Sequence, residues 1–190
     1  GADGITGQAA VNAELATLFT AGKTSLAAFE CDHAENVMNK IIREMQIPLI
    51  QGALRYAYKV DETATDKSIA EGWAFSAAVL PMIDACDSSV AAQIRANQDV
   101  TATTPMADGF ATIKAAYESV YGCLQISCSD IGGILGDSGY FAGAEPCTDN
   151  MASYEPGTDV LEHSQIDLDQ RDFETALAAN DWTEAINVYQ

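Results

Sequence analysis

Between Gly72 and Leu80 the chain carries no charged residue, and Ser76 is its one polar residue, yet Glu71 stands at the head of that stretch. A helix that is apolar on every side belongs in a protein interior. A carboxylate taken into an interior needs a counter-charge or hydrogen-bond donors. The segment KSIAEGWAFSAAVLP, residues 67–81, therefore predicts a buried helix and poses the question of what Glu71 is bound to.

The preceding segment supplies candidates. From Ile47 onward, Ile47, Ile50, Leu54 and Ala57 form an apolar stripe at helical spacing, and Gln51, Arg55 and Tyr58 form a polar stripe beside it at i, i+4, i+7. An antiparallel hairpin through the polar turn 61–66 brings Arg55 or Tyr58 toward Glu71. Two readings follow. In one, Arg55 and Glu71 are a structural ion pair that fixes the hairpin's register, with Tyr58 and Gln51 satisfying the remaining donors and acceptors. In the other, the same groups hold a ligand: Arg55 presents its forked donors to a planar oxyanion, while carboxylate and phenolate oxygens take a hard cation, with His33 joining from the helix before.

The rest of the chain reads as helical. Residues 9–20 are Ala- and Leu-rich at helical spacing, with Gly22 as their stop. Residues 24–46 follow, with Val37, Ile41 and Met45 on an i, i+4 ladder that Pro48 breaks or kinks. A second proline, Pro81, ends the 67–81 helix, and residues 82–97 and 106–127 are helical again. No alternating strand pattern precedes residue 130. The stretch 129–156, rich in Gly and Pro, is too long for a plain connector and is expected to be pinned by a disulfide. Two helical pieces close the chain, DQRDFETALAA and DWTEAINVY, the second opened by Asp181 and Glu184 at capping-box spacing. The expected fold is all-α: a helical bundle of antiparallel hairpins with a long disulfide-pinned loop near residues 129–165, forming a single domain over 1–190.

Charge narrows the partners. With 28 acidic residues against 9 basic ones and a formal net charge of -19, the chain is ill suited to nucleic acid or anionic lipid. Cations, small anions held by local bases, a basic protein surface or a neighbouring subunit suit it better. From Ser129 to Gln190 there are 13 acids and one base, Arg171, so the C-terminal part is where a basic partner would dock. No uninterrupted apolar stretch approaches the roughly 20 residues of a membrane span, and no transmembrane segment is expected. Nor does the sequence open on a signal-like segment, so any targeting sequence is expected to have been removed or to lie outside this numbering.

Five cysteines, Cys31, Cys86, Cys123, Cys128 and Cys147, lack the paired spacing of a zinc site. They read as disulfides, with Cys31 paired to Cys86, Cys128 to Cys147, and Cys123 left over; the competing reading keeps all five reduced in the core. Disulfides place the protein in an oxidising compartment: periplasm, cell surface or an organelle lumen such as the thylakoid lumen. No G-x-S-x-G, H-E-x-x-H, phosphate loop or EF-hand is present, and the chain is not expected to be an enzyme.

The strings AEGWAFSAAVLPMID, IQGALRYAYKVD, CSDIGG and ALAANDWTEAINVY resemble the low-iron-inducible periplasmic protein family of algae, which includes phytotransferrin-like proteins. The resemblance covers most of residues 31–190. It implies an extracytoplasmic helical module that binds ferric iron, bicarbonate or carbonate for uptake, with ligands drawn from Tyr56, Tyr58, Glu71 and His33 and the oxyanion held by Arg55. The closing DWTEAINVYQ also resembles the start of a repeat in this family, so the chain reads as one module of a longer array. A second reading from another class is an acidic, non-catalytic linker subunit of a luminal or photosynthetic membrane complex.

Overall fold

The computed structural model describes residues 9–136, 139–148, 175–179 and 181–182. Where the sequence suggests one domain, the chain divides into two compact units, Gly1–Asp149 and Asn150–Gln190. In the second, residues 175–178 are helical. The remainder of the two closing helical pieces, including the Asp181–Glu184 capping box and most of the loop beyond Cys147, falls outside the described residues.

The first unit is all-α apart from one short ribbon. Its elements are α1 (Ala10–Ala27), α2 (Cys31–Glu62), α3 (Asp66–Cys86), α4 (Ser88–Gln98), α5 (Phe110–Ser119), α6 (Tyr121–Leu124) and α7 (Cys128–Ile131), followed by β1 (Leu135–Gly136) and β2 (Gly139–Tyr140). The two strands pair antiparallel, Leu135 with Tyr140 and Gly136 with Gly139. At 32 residues, α2 is the spine: α1 packs along its first part, and α3, α5 and α7 pack against it further on.

Two helices run through prolines expected to end them. Pro48 lies inside α2 and Pro81 inside α3. A proline in a helix interior costs about 3 kcal/mol through its missing N–H and ring clash. Here the cost is offset by core residues on either side: Ile47, Ile50, Ala53 and Leu54 around Pro48, and Val79 and Ile83 around Pro81, are all buried. For the same reason Gly22 does not stop α1, which continues to Ala27 with Gly22 set against Val37 of α2.

Helix ends are fixed by side chains that the sequence places at caps. Thr65 accepts from the Ser68 N–H at the start of α3, and Asp87 accepts from the Ser89 and Val90 N–H groups at the start of α4. These bonds, that of the Ser89 hydroxyl first, hold the Asp87 carboxyl below its ordinary range. Ser127 and Asp130 form a capping box on α7. The start of α5 is capped from a distance: Asp61 of α2 accepts the Phe110 N–H at 3.0 Å.

α3 is not apolar in the way the sequence suggests. By length and a mean hydropathy of 1.2 it could cross a bilayer, and it serves instead as a one-sided core helix, with Gly72, Ser76, Val79 and Ile83 buried and Ala74 and Ala78 exposed. Ser76, fully buried, donates to the Trp73 carbonyl of its own helix.

The disulfides correct one pairing and bear out the other. Cys86 at the end of α3 joins Cys123 of α6, and Cys128 joins Cys147 across the loop that carries the β-ribbon. Cys31, expected to pair with Cys86, is a free and exposed thiol at the first residue of α2. The correction has a geometric cause: Cys86 lies at the far end of an antiparallel hairpin arm from the α2–α3 turn, where α6 and not the start of α2 meets it.

Candidate functional site

The site is set by two glycines. A Cβ on Gly72 would come within 3.0 Å of the Tyr56 Cβ, and one on Gly52 within 2.6 Å of the Phe75 ring. Only glycine permits so close an approach of α2 and α3. The approach lays Tyr56 along Phe75, ring centroids 5.8 Å apart and nearly parallel, and sets the Tyr56 hydroxyl near Glu71, whose carboxylate favours the protonated phenol. Lys59 sits 5.0 Å above the Tyr56 ring, a cation–π contact from one turn along α2.

Glu71 is therefore bound, but not as the sequence suggests. Its side chain is 39% exposed, and the cation within reach is Lys67, one turn back on its own helix at 4.0 Å, not Arg55. A pair this open to water contributes under about 1 kcal/mol. The buried Arg55–Glu71 ion pair is corrected accordingly: α3 presents Glu71 at the boundary between its packed and open faces, where water does part of the work of a counter-charge. Arg55 is exposed beside Tyr56 and acts on it through space, favouring the phenolate.

The Tyr56 phenol lies above its ordinary value of 10.0, first through its polar interaction with the Glu71 side chain, then through partial burial and the Glu71 charge, with Arg55 opposing. The folded pKa is the higher one. The interaction's contribution to stability is thus full below the ordinary phenol range and lost as pH rises through the folded value. Spectrophotometric titration of phenolate absorbance is expected to resolve Tyr56 as a late-ionising tyrosine, and Glu71→Gln to bring its ionisation to lower pH. A phenolate curve unchanged by Glu71→Gln would contradict the interaction.

The other sequence candidates are placed elsewhere. Gln51 donates to the carbonyls of Ile131 at 2.9 Å and Asp130 at 3.3 Å, fastening α7 to α2. Tyr58 packs edge-on against Phe110 and stacks on Phe141, both with centroids just over 5 Å away (5.2 and 5.1 Å), so it is a core aromatic. His33 lies 23 residues before Tyr56 on the same helix, about 35 Å along its axis, and its Nδ1 meets Ser25 Oγ of α1 at 2.6 Å. Thus Arg55, Tyr56 and Glu71 come together, while Gln51, Tyr58 and His33 do not join them. Lys59 and Lys67 complete the constellation, and neither was singled out from the sequence as a site residue.

Behind Tyr56 a cavity of ≈ 10 Å³ between Val60, Ile69, Asn97 and Met106 is at the size of a single water, so a larger ligand would meet the site from its open side. A wider groove of ≈ 570 Å³ runs between α3 and α4, lined by Trp73, Leu80, Pro81, Asp84 and Arg95, with the Arg95 guanidinium 5.9 Å from the Trp73 ring. Among the described residues no three His, Cys, Asp or Glu side chains converge as metal ligands.

Fold and site together define an all-α, disulfide-bonded protein bearing a phenol–carboxylate pair flanked by three cations. Residues 138–190 match the model of the low iron-inducible periplasmic protein family, Fea1, the family that the sequence resembles. The family's description and the two disulfides agree on an extracytoplasmic, oxidising location. Neither the curated proteins nor the solved structures include a match.

Proposed function

We propose that the protein binds ferric iron together with bicarbonate or carbonate for uptake, and acts by binding without catalysing a reaction. The observation that carries this reading is the placing of the Tyr56 phenol near the Glu71 carboxylate and an exposed Arg55, by the close approach of α2 and α3 at Gly52 and Gly72. A phenol and a carboxylate side by side are two hard oxygen donors of the kind a hard cation takes. Arg55 offers a planar fork to an oxyanion.

The local charges argue for the two ligands arriving together. Lys67 reaches Glu71 while Lys59 and Arg55 stand beside the Tyr56 ring, so a bare cation meets repulsion at short range even though the chain as a whole attracts it. A carbonate reverses the local sign and brings further oxygens, and the phenol near Glu71 gives its proton up when the cation takes the oxygen. The acid-rich residues beyond Ser129 are left for a basic protein surface.

Ferric iron added to the protein with bicarbonate is expected to raise a visible phenolate-to-iron charge-transfer band at one iron per chain, weaker without bicarbonate and absent in Tyr56→Phe, whose helical circular dichroism is unchanged. A band that persists in Tyr56→Phe would move the site elsewhere. An iron-free protein that co-purifies in a stable large complex would replace the proposal with the linker-subunit reading.

A further inference from the structure

The α1–α2 hairpin carries an apolar surface that nothing else among the described residues covers. Phe19, Leu26, Phe29, Met38, Ile42 and Met45 are each between 43% and 89% exposed. These are not scattered. Leu18 and Ser25 of α1 and Val37 of α2 are buried, with Val37 meeting Gly22 and Ser25 meeting His33 across the hairpin. Phe19, Leu26 and Met38 each lie one residue past these, about 100° round their helices. In two antiparallel right-handed helices that step turns both stripes to the same side. Ile42 and Met45 continue the α2 stripe at i+4 and i+7 from Met38, and Cys31 begins it at i−7.

The tip adds a second sign. Phe29 follows the C-cap of α1 with φ 59, a left-handed position where glycine is the default, and its ring is 89% exposed. Among the described residues of one copy no packing repays a bulky aromatic there.

We propose that this face binds a second copy of the chain, the two hairpins packed antiparallel, stripe against stripe. Six side chains exposing roughly 100 Å² each give about 600 Å², close to the roughly 800 Å² per partner of a specific interface once the rim is added. Charge selects the partner. Residues 9–46 hold five acids and three bases, whereas the rest of the chain holds 23 acids and 6 bases. By the same helical geometry the charges on the stripe side are Lys23 and Glu35, one of each sign. The hairpin is thus the part on which two such acidic chains can meet without strong repulsion. Antiparallel packing also keeps the two acidic bodies at opposite ends, and it lays the Cys31 end of one copy against the Met45 end of the other.

Sedimentation of the 190-residue chain at about 100 µM, within reach of a micromolar interface, is expected to show a dimer. Ile42→Asp, at an exposed position, is expected to be monomeric with its helical signal intact. Within one copy residues 31 and 45 are about 21 Å apart along α2, beyond the roughly 7 Å that a disulfide spans. Met45→Cys, with oxidised glutathione accepting the two electrons and two protons, is therefore expected to give a covalent dimer through Cys31, lost on adding Cys31→Ser. A chain monomeric at every concentration, or a dimer indifferent to Ile42→Asp, would overturn the interface. A native chain that cross-links through Cys31 alone would overturn the antiparallel arrangement.

Discussion

Replacing both Cys86 and Cys123 by serine is expected to lower stability by about 4 kcal/mol, the loop-closure entropy regained by the unfolded chain across a separation of 37 residues. Both cysteines are changed so that no stray thiol remains. Neither residue is buried, so the loss falls on chain entropy and little on packing. In thermal unfolding this corresponds to a fall in Tm of about 10 °C for a chain of this size. The Cys128–Cys147 bridge spans 19 residues, and its removal is expected to cost less, about 3 kcal/mol. Urea midpoints for the two double variants test the order. Equal midpoints, or a Cys86/Cys123 variant as stable as the parent, would mean that the unfolded chain is already ordered around that loop.

The second large effect is expected at a polar link inside the core. Tyr117 is fully buried, and its hydroxyl donates to Gln98 Oε1 at 2.7 Å; Gln98, itself buried, donates through Nε2 to the Ala53 carbonyl at 3.0 Å. Three helices, α2, α4 and α5, are joined through that one amide. Tyr117→Phe leaves the amide oxygen without its donor, and Gln98→Leu leaves a buried hydroxyl without an acceptor, so each is expected to cost about 1–3 kcal/mol. The double variant removes both needs at once and is expected to cost less than the two singles added, with a coupling of about 1–2 kcal/mol. Burial pushes the Tyr117 phenol well above its ordinary range, so it remains a neutral donor and the coupling is expected not to vary between pH 5 and about 9. Strict additivity in urea denaturation would show that the two groups do not act as a pair.

Much of the architecture was legible in periodicity. The apolar stripe Ile47, Ile50, Leu54 and Ala57 is buried as its spacing demands, and the loop closed by Cys128 and Cys147 is where Gly and Pro density put it. Local signals failed where tertiary packing outweighs them. Pro48 and Pro81 are strong breakers by themselves, yet each sits between core residues whose burial is worth more than one lost backbone bond. The site was half legible. Sequence spacing grouped Arg55 with Tyr58, but the register of α3 on α2 is decided by Gly52 and Gly72, and that register selects Tyr56. Two glycines inside helical patterns were the available sign of a close helix crossing. Glu71 was read as buried because alanine counts as apolar; Ala74 and Ala78 are small enough to face water at little cost.

The order of the bridges along the chain bears on how the protein matures. Cys86 pairs with the next cysteine, Cys123, and Cys128 with the next again, Cys147, so the two native loops follow one another without overlap or nesting. A chain delivered N-terminus first into an oxidising compartment presents Cys31 before the other four cysteines, and when Cys86 emerges, Cys31 is a thiol already waiting. A thiolate attacks whichever disulfide or oxidised partner it meets. Among these five cysteines, the bridge that the finished fold rejects is thus the first that can form. Correct oxidation depends on α1 and α2 zipping together early enough to carry Cys31 to the hairpin tip, or on an isomerase that undoes the Cys31–Cys86 pair afterwards.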